Sequence, residues 1–345
     1  MKKILAILLA LALGLGLSAG LAEEPAEAAP VRKILIDTDT GADDASALIL
    51  AAKTPGIEIL GVTVLAGNVT LEQGAKNALS ALEAAGCGAP VFKGSDTNYE
   101  GAQIEAFSVF GEDGMGDKDL IHPEKECGEQ DAIDFILETV KQYPDEVEIV
   151  ALGPATNIAK AIDRDPETMK KVRKIWSMGS AGLGAGNATP VAEFNVYMDA
   201  PAYKRLLESG LPVTILGLDM CQGDALWGKD EFDQLAAAGG CAAFVSDSFT
   251  VFRRDWTEGG FEGLVNNCDS VAMMCALQED FVTDTLKCQG SCITDSEEAY
   301  GQVIFYMDGV AYDMVEKEMP YATTLISGIR AGEFFSRYLA AVSAE

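Results

Sequence analysis

Four aspartates lie within eight residues near the start of the chain, in the segment DTDTGADD at residues 37–44. An apolar run at residues 33–37 precedes them and a helical pattern follows, so they are expected where a buried strand turns into a helix. Carboxylates this close repel one another unless a cation neutralises them or some keep a proton. Hard oxygen ligands favour calcium or magnesium over zinc. The segment is therefore predicted to bind a divalent cation, although Asp43 alone could simply cap the helix.

Two known aspartate motifs fit this segment poorly. An EF-hand loop that begins at Asp37 needs Gly at its sixth position and Glu at its twelfth, and the chain has Ala42 and Leu48 there. A phosphatase of the haloacid-dehalogenase type would use Asp37 as nucleophile and Asp39 as acid, but Gly41 stands where Thr or Val is expected. Neither motif explains the cluster.

The elements that must position these aspartates alternate along the chain. Strand-like apolar runs are predicted at residues 33–37, 57–65, 90–93, 147–152, 174–178 and 213–218. Helical patterns are predicted at residues 45–53, 71–85, 132–143, 157–162 and 200–208. Continuous apolar strands separated by helices predict the α/β class, as a doubly wound, mostly parallel sheet flanked by helices. We expect a single large domain at residues 31–345, with a helix-rich insertion around residues 228–277.

Polar clusters follow the predicted strands at the points where the strands end. They are Asp37-Thr38-Asp39, Gly67-Asn68, Gly153-Pro154, Gly179-Ser180 and Asp219. In an open parallel sheet, the ligand binds in a crevice outside the carboxyl ends of the strands. These clusters are therefore expected to line one crevice.

The charge of the chain excludes some classes of function. Its 345 residues include 25 Lys+Arg, 54 Asp+Glu and one His, for a formal net charge of -29. Nucleic-acid binding and adsorption to anionic membranes both need a basic surface, so neither is expected. A single histidine excludes zinc sites with several His ligands and disfavours a Ser-His-Asp triad.

The N-terminus resembles a secretory signal. Lysines at positions 2 and 3 precede an apolar run to about residue 17, and small residues at positions 20 and 22 suit cleavage after residue 22. A membrane anchor is the alternative, but the run is short and rich in glycine. Residues 23–30 (EEPAEAAP) are predicted to be a disordered tether. We expect a secreted or periplasmic protein without stable membrane insertion.

Export would permit disulfides among the eight cysteines, none of which lies in a CxxC pair. Cys288 and Cys292 are the best candidates for a local disulfide. Buried free thiols are the alternative.

Four sequence blocks resemble those of the inosine–uridine-preferring nucleoside hydrolase family. They are DTDTGADD at residues 37–44, GVTVLAGN at 61–68, ALGPATN at 151–157 and GNATPVAEFN at 186–195, and the similarity covers roughly residues 32–338. The resemblance implies hydrolysis of the N-glycosidic bond of ribonucleosides to ribose and free base. In that mechanism, Asp39 activates a calcium-bound water that attacks the anomeric carbon.

The resemblance also implies roles for the matching residues. Calcium would be held by Asp39, Asp44, the main-chain carbonyl of Thr156 and Asp269. The residues matched to the ribose site are Asp43, Asn68, Met178, Asn187, Glu193 and Asn195. Asn187, Glu193 and Asn195 could instead be ordinary loop residues. The expected partner is a small nucleoside, and the family implies a homodimer or homotetramer.

The base-recognition half of the pattern is altered. Many members of the family have His-Asp where this chain has Cys268-Asp269, and another frequent His is replaced by Phe110. A frequent Thr-His pair appears here as Cys221-Gln222. The only histidine, His122, is expected to be a loop residue.

These changes leave several hypotheses for the leaving base. Cys268 is predicted to donate the proton, and a disulfide between Cys221 and Cys268 is the rival hypothesis. Phe110, Phe252 or Trp256 could stack on the base, or could pack in the core. Two other functions also stay open: a ribonucleoside-binding or ribosyl-binding protein with little turnover, and a hydrolase of another N-riboside such as a nicotinamide or modified-base riboside.

Overall fold

The computed structural model describes residues 31–107, 109–258, 263–312, 320 and 322–344, except for the side chains of residues 255–257. The predicted signal peptide and tether lie outside the described residues and stay predictions. Residues 31–345 form one compact unit. Within the described ranges, no helix is long and apolar enough to cross a membrane.

The described strands form one mixed sheet with the order β3-β2-β1-β4-β5-β6-β9-β7-β8. Strand β7 pairs antiparallel with β8 and β9, and the other pairs are parallel. The strands are β1 (Arg32–Thr38), β2 (Ile57–Val64), β3 (Val91–Lys93), β4 (Val147–Ala151), β5 (Lys174–Met178), β6 (Val213–Leu216), β7 (Val282–Cys292), β8 (Val303–Met307) and β9 (Thr323–Ile329). The sheet confirms the predicted, mostly parallel α/β fold.

The helices cover the sheet and build the insertion. They are α1 (Ala42–Lys53), α2 (Leu71–Ala84), α3 (Ala132–Gln142), α4 (Thr156–Arg164), α5 (Pro166–Met169), α6 (Phe194–Met198), α7 (Ala200–Leu207), α8 (Lys229–Ala238), α9 (Gly240–Ser248), α10 (Thr250–Glu258), α11 (Cys268–Leu277) and α12 (Phe334–Val342). The four helices α8–α11 occupy the predicted helix-rich insertion. Short 3₁₀ turns, such as Leu218–Cys221 after β6, connect several elements.

The sheet divides the core into two apolar clusters. Ile34 and Ile36 belong to one cluster together with Leu48 of α1, whereas Leu35 belongs to the other with Ile136 of α3. Successive side chains of a strand point to opposite faces, so a continuously apolar β1 can supply both clusters. The strand order changes direction between β1 and β4, and a crevice opens beyond the carboxyl ends of the strands at such a switch point.

The predicted local disulfide between Cys288 and Cys292 is wrong. Both residues lie in β7, where they are buried free thiols. Four residues of extended strand span about 13 Å, and a disulfide needs Cα atoms closer than about 7 Å. The alternative of buried free thiols is the arrangement that the fold adopts.

Arg32, at the start of β1, forms a partly buried ion pair with Glu148 of β4 and also contacts the end of α11. The guanidinium of Arg32 donates to both carboxylate oxygens of Glu148, at 3.0 and 2.6 Å, and Trp176 donates to the same carboxylate at 2.8 Å. Arg32 also donates to the carbonyls of Ala276 and Leu277, the last residues of α11. Burial raises the pKa of Glu148, but these donors outweigh it and leave the pKa below its usual value.

Substitution of Arg32 by alanine is expected to lower the free energy of unfolding by about 3 kcal/mol, because it leaves a buried carboxylate without its cation. Arg173→Ala is the matched control, since its side chain is 60% exposed and lies 4.0 Å from the same carboxylate. It should change the free energy of unfolding by less than about 1 kcal/mol. Urea unfolding of both variants measures the difference, and equal effects would contradict the role given to Arg32.

Candidate active site

A cavity of about 730 Å³ lies among the loops that follow the strands, and of the predicted polar clusters, Asn68 and Asp219 line it. A volume of this size suits a small organic ligand. Residues from many stretches that are distant in sequence line it. Among them are all six residues matched to the ribose site, namely Asp43, Asn68, Met178, Asn187, Glu193 and Asn195, together with Cys268 and Asp269.

Three carboxylates meet at this cavity. Oxygen atoms of Asp43, Asp44 and Asp269 all lie within 4.8 Å of one another, a spacing that could hold a metal ion. Asp43 and Asp44 are in the first turn of α1, and Asp269 is in the first turn of α11. Asp43, which was matched to ribose, therefore shares the cluster with two of the residues that were matched to the metal.

Asp44 is held in place by three donors. The hydroxyl of Thr38 donates to its Oδ1 at 2.5 Å, while the amide of Gly41 and the side-chain amide of Asn68 donate to its Oδ2 at 2.9 and 3.1 Å. These donors come from β1, from the turn before α1 and from the loop after β2. The carboxylate therefore has a fixed orientation in the first turn of α1.

Asp39 is fully buried between two glycines. Its Oδ2 accepts a hydrogen bond from the amide of Asn68 at 2.6 Å, and its Oδ1 has no partner among the described residues. A Cβ atom on Gly67 would lie 2.1 Å from Oδ2, and one on Gly153 would lie 2.5 Å from Oδ1. Only glycine allows the loops after β2 and β4 to approach this carboxylate so closely.

The acidic groups raise one another's pKa. For Asp39, Asp43 and Asp269, burial is the largest cause and the charge of a neighbouring aspartate is the next, so each pKa lies well above its usual value. The pKa of Asp44 is also raised by burial, against the hydrogen bonds that it accepts. A divalent cation would remove this repulsion, and the partnerless Oδ1 atoms of Asp39 and Asp43 are oxygen donors of the kind that calcium prefers.

Thr156, the fourth residue matched to the metal, begins α4 directly after β4. It is fully buried, and its hydroxyl donates to Asp199 at 2.6 Å. The same turn contains Gly153, which packs against Asp39. The fold thus brings the Thr156 turn to the end of β1, as expected from the pairing of β1 with β4.

The residues matched to ribose are tied together by their own hydrogen bonds. Glu193 accepts from the amides of Asn195, Ser180 and Val196, at 2.9, 3.2 and 3.2 Å, and burial raises its pKa to about 7. The side-chain amide of Asn195 donates to the carbonyl of Leu152 at 2.6 Å. These contacts join the glycine-rich loop after β5 to the end of β4.

Aromatic side chains form another part of the cavity wall. Phe110 and Phe252 both line it, with ring centroids 5.1 Å apart, and Phe249 packs edge-on against Phe110 at 5.7 Å. Trp256 is in α10, but its side chain lies outside the described residues. Phe110 and Phe252 are thus buried in the core and also line the cavity, and stacking on a base stays a prediction.

Cys268 also lines the cavity, and its thiol is hydrogen-bonded to that of Cys221. This hydrogen bond and burial hold the pKa of Cys268 well above its usual value. Both cysteines are free thiols, so the rival disulfide is not formed. His122 lies in a loop, as predicted; its side chain is 68% exposed and pairs with Asp119 at 2.9 Å.

Sequence reasoning missed several residues of the cavity wall. Loop and helix residues such as Phe107, Tyr197 and Asn266 carried no local signal. Asp219 had one, because it follows a predicted strand. Its Oδ2 accepts from the amide of Leu183 at 2.9 Å, and a Cβ atom on Gly182 would lie 1.9 Å from its Oδ1. Asp219 therefore anchors the glycine-rich loop.

Solved nucleoside hydrolases share this α/β fold. A plant nucleoside hydrolase superposes with a TM-score of 0.85 and 26% identity, covering 92% of this chain and 100% of that one. A purine-preferring ribonucleoside hydrolase from Gardnerella vaginalis superposes with a TM-score of 0.82 and 28% identity, covering 90% and 98%. The fold and the site place the chain in the class of N-glycosyl hydrolases.

Sequence comparison narrows the class to a family. The model of the inosine-uridine preferring nucleoside hydrolases matches residues 34–336. Uridine nucleosidase 1 from Arabidopsis thaliana is 36% identical over 271 residues, which are 76% of this chain and 80% of that protein. The chain belongs to the inosine-uridine preferring nucleoside hydrolase family, which confirms the resemblance seen in its motifs.

Substitution of Gly153 by alanine should disrupt the acidic cluster, because the added Cβ would lie 2.5 Å from Asp39 Oδ1. Calorimetric titration with calcium is expected to show an affinity at least about 10-fold weaker than that of the unsubstituted protein. Gly88→Ala is the control, since the nearest neighbouring atom to its Cβ would be 3.7 Å away. Unchanged calcium affinity in folded Gly153→Ala would contradict the assignment of Asp39 to the metal.

Proposed function

We propose that this protein is an exported, calcium-dependent ribonucleoside hydrolase that cleaves the N-glycosidic bond of ribonucleosides to ribose and free base. One observation carries the proposal. The cluster of Asp43, Asp44 and Asp269 lies at a cavity that all six residues matched to the ribose site also line. Family membership supports the reaction, and the similarity to uridine nucleosidase 1 makes uridine the first substrate to test.

Asp39, Asp44, Asp269 and the main-chain carbonyl of Thr156 would hold the calcium ion. The donors are all oxygen atoms, and the raised pKa of each of the three carboxyls supports a site that favours an added positive charge. Calcium, when bound, would orient the ribose hydroxyls and make water a stronger acid. Proton release on calcium binding is expected from this arrangement.

Asp39 is the proposed general base. Its Oδ2 is fixed by the amide of Asn68, which leaves Oδ1 free to take a proton from the attacking water. The walls formed by Gly67 and Gly153 allow the carboxylate little freedom to rotate. A base held in one orientation needs no reorganisation at the moment of attack.

The ribose site is built from hydrogen-bond acceptors, which suit the hydroxyl groups of the sugar. We assign this role to Asp43, Asn68, Asn187, Glu193 and Asn195, with Met178 as an apolar wall beside the ring. Breaking the glycosidic bond leaves positive charge on the sugar, and fixed carboxylates nearby stabilise it. Asn187 also accepts from the amide of Phe194, so it helps to fix the start of α6.

The base half of the cavity combines aromatic rings with a thiol. Phe110 and Phe252 offer apolar surface to a planar heterocycle. Cys268 is the proposed proton donor to the leaving base. Because its raised pKa keeps the thiol protonated at neutral pH, it can act as an acid but not as a thiolate nucleophile.

The N-terminal pattern supports export, with residues 1–22 as the signal and 23–30 as a tether to a secreted or periplasmic domain. Family membership supports a homodimer or homotetramer. Mass spectrometry of the purified mature chain would test cleavage after residue 22. The molar mass of the native protein in solution would test the oligomeric state.

Ribose release should be measured with uridine, cytidine, inosine, guanosine and nicotinamide riboside, with calcium and after chelation. We expect calcium-dependent release that falls by about 10³-fold in Asp39→Asn, because the general base is lost. Asp230→Asn changes an exposed aspartate of α8 and should retain full activity. Calcium-dependent nucleoside binding without release from any riboside would instead support the ribosyl-binding function.

The role of Cys268 can be separated from packing by the choice of leaving group. Cys268→Ala should lower the rate on uridine by about 100-fold, because the base then departs without a proton. The rate on p-nitrophenyl riboside, whose leaving group needs no proton, should change little. Cys275→Ala is the control, because Cys275 is a buried thiol of the same helix that does not line the cavity, and it should leave the rate on uridine nearly unchanged. Equal losses on both substrates would contradict an acid role for Cys268.

A further inference from the structure

Two buried aspartates near the proposed metal site have no role in the chemistry above. Asp37 is at the end of β1, and Asp199 lies between α6 and α7. Both side chains are fully buried. The residues described as lining the cavity do not include either of them. Their hydrogen bonds lead instead to two consecutive residues, Thr156 and Asn157, at the start of α4.

Asp37 reaches this turn through Asn157. Its Oδ1 accepts hydrogen bonds from the hydroxyl of Thr63 at 2.5 Å and from the side-chain amide of Asn157 at 2.9 Å. The side-chain oxygen of Asn157 accepts in turn from the amide of Ser95 at 3.0 Å. Asn157 fits closely, because a Cβ atom on Gly94 would lie 2.4 Å from its Oδ1. Its side chain is therefore fixed at both ends.

Asp199 reaches the same turn through Thr156. Its Oδ2 accepts from the hydroxyl of Thr156 at 2.6 Å and from the amide of Tyr99 at 2.7 Å. Its Oδ1 accepts from the amide of Ala202 in the first turn of α7 at 3.2 Å. Asp199 thus connects α4, α7 and the loop after β3, and it holds Thr156 by a side chain that does not reach the cavity.

The two contacts constrain a main-chain group. The turn from Gly153 to Thr156 packs against Asp39, and its start is fixed by the hydrogen bond from the amide of Leu152 to the carbonyl of Asp37. A main-chain carbonyl can be oriented only through the conformation of its own turn. Hydrogen bonds to the side chains of Thr156 and Asn157 are the contacts that fix this conformation where α4 begins.

We propose that Asp37 and Asp199 are positioning residues for the metal site. Through Asn157 and the hydroxyl of Thr156, they hold the carbonyl of Thr156 in the orientation that coordination requires. Groups that orient metal ligands in this way commonly change metal affinity by about 10- to 100-fold when they are removed. This inference rests on the proposed function, because it takes Thr156 as a calcium ligand.

The contact between Asp37 and Asn157 can be tested by exchanging donor and acceptor. Asn157→Asp keeps the acceptor for Ser95 but places a carboxylate against Asp37, so the calcium Kd should rise by about 10- to 100-fold. The double variant Asp37→Asn with Asn157→Asp restores one donor and one acceptor with their positions exchanged. Its calcium Kd should return to within about 3-fold of the unsubstituted value, because the contact is re-formed.

The contact between Thr156 and Asp199 has a conservative pair of variants. Thr156→Val removes the hydroxyl but keeps the shape of the side chain and the main-chain carbonyl, and it should raise the calcium Kd by about 10-fold. Thr156→Ser keeps the hydroxyl and should bind calcium nearly as tightly as the unsubstituted protein. Thr63→Val is the structural control, because it removes the other hydrogen bond to Asp37 Oδ1 without touching the turn.

Calcium titration calorimetry gives the Kd of each variant, and its Tm after chelation shows whether it folds. Thr63→Val should lower the Tm and leave the calcium Kd within about 2-fold of the unsubstituted value, since loss of the hydrogen bond from the Thr63 hydroxyl affects stability alone. The proposal is overturned if Asn157→Asp and Thr156→Val behave like Thr63→Val, that is, if they lower the Tm without weakening calcium binding. It is also overturned if the exchanged pair folds and does not recover affinity. If the unsubstituted protein binds no calcium, the proposed metal site fails as well.

Discussion

Repulsion among buried carboxylates at the end of β1 is the constraint on which the rest of the site depends. Asp39 and Asp44 are fully buried and Asp269 nearly so. Burial raises the pKa of all three, and acidic neighbours raise the pKa of Asp39 and Asp269 further. Such groups persist in a fold only where donors or a cation offset their charge. Thr38, the amide of Gly41 and Asn68 supply part of this, and the remaining oxygen atoms without partners define the place for a metal ion.

The topology determines which segments can reach these carboxylates. Because β1 pairs with β2 on one side and β4 on the other, the loops that follow both neighbours converge on Asp39. Gly67 and Gly153 make this approach possible, and Asp269 arrives from α11, far along the chain. Arg32 donates to main-chain carbonyls at the far end of α11 and holds it against the start of β1, so one arginine contributes to the placement of the third acid.

The two halves of the cavity follow different physical rules. In the half proposed to bind the sugar, main-chain groups hold the polar side chains: Glu193 accepts from main-chain amides, and the side-chain amide of Asn195 donates to the carbonyl of Leu152. These bonds orient the polar groups and limit their motion. The half proposed to take the base has packed aromatic rings and a thiol, which offer surface and a weak acid but few directional contacts. Under the proposed function, such a site would orient the ribose tightly and leave the choice of base to shape and stacking.

Local patterns in the sequence determined the parallel strands, the helices between them and the motif residues, because hydrophobic periodicity and contiguous blocks are properties of short segments. They did not reveal β7–β9, because polar residues interrupt β7 (VTDTLKCQGSC) and β9 (TTLISGI), and β8 (VIFYM) is only five residues long. They also suggested a disulfide that an extended strand forbids. Only the tertiary structure decided that Asp269 joins Asp43 and Asp44, that Cys268 contacts Cys221, and that Phe107 and Tyr197 face the cavity. These contacts join residues distant in sequence, and their energy depends on how helices and loops pack rather than on any local propensity.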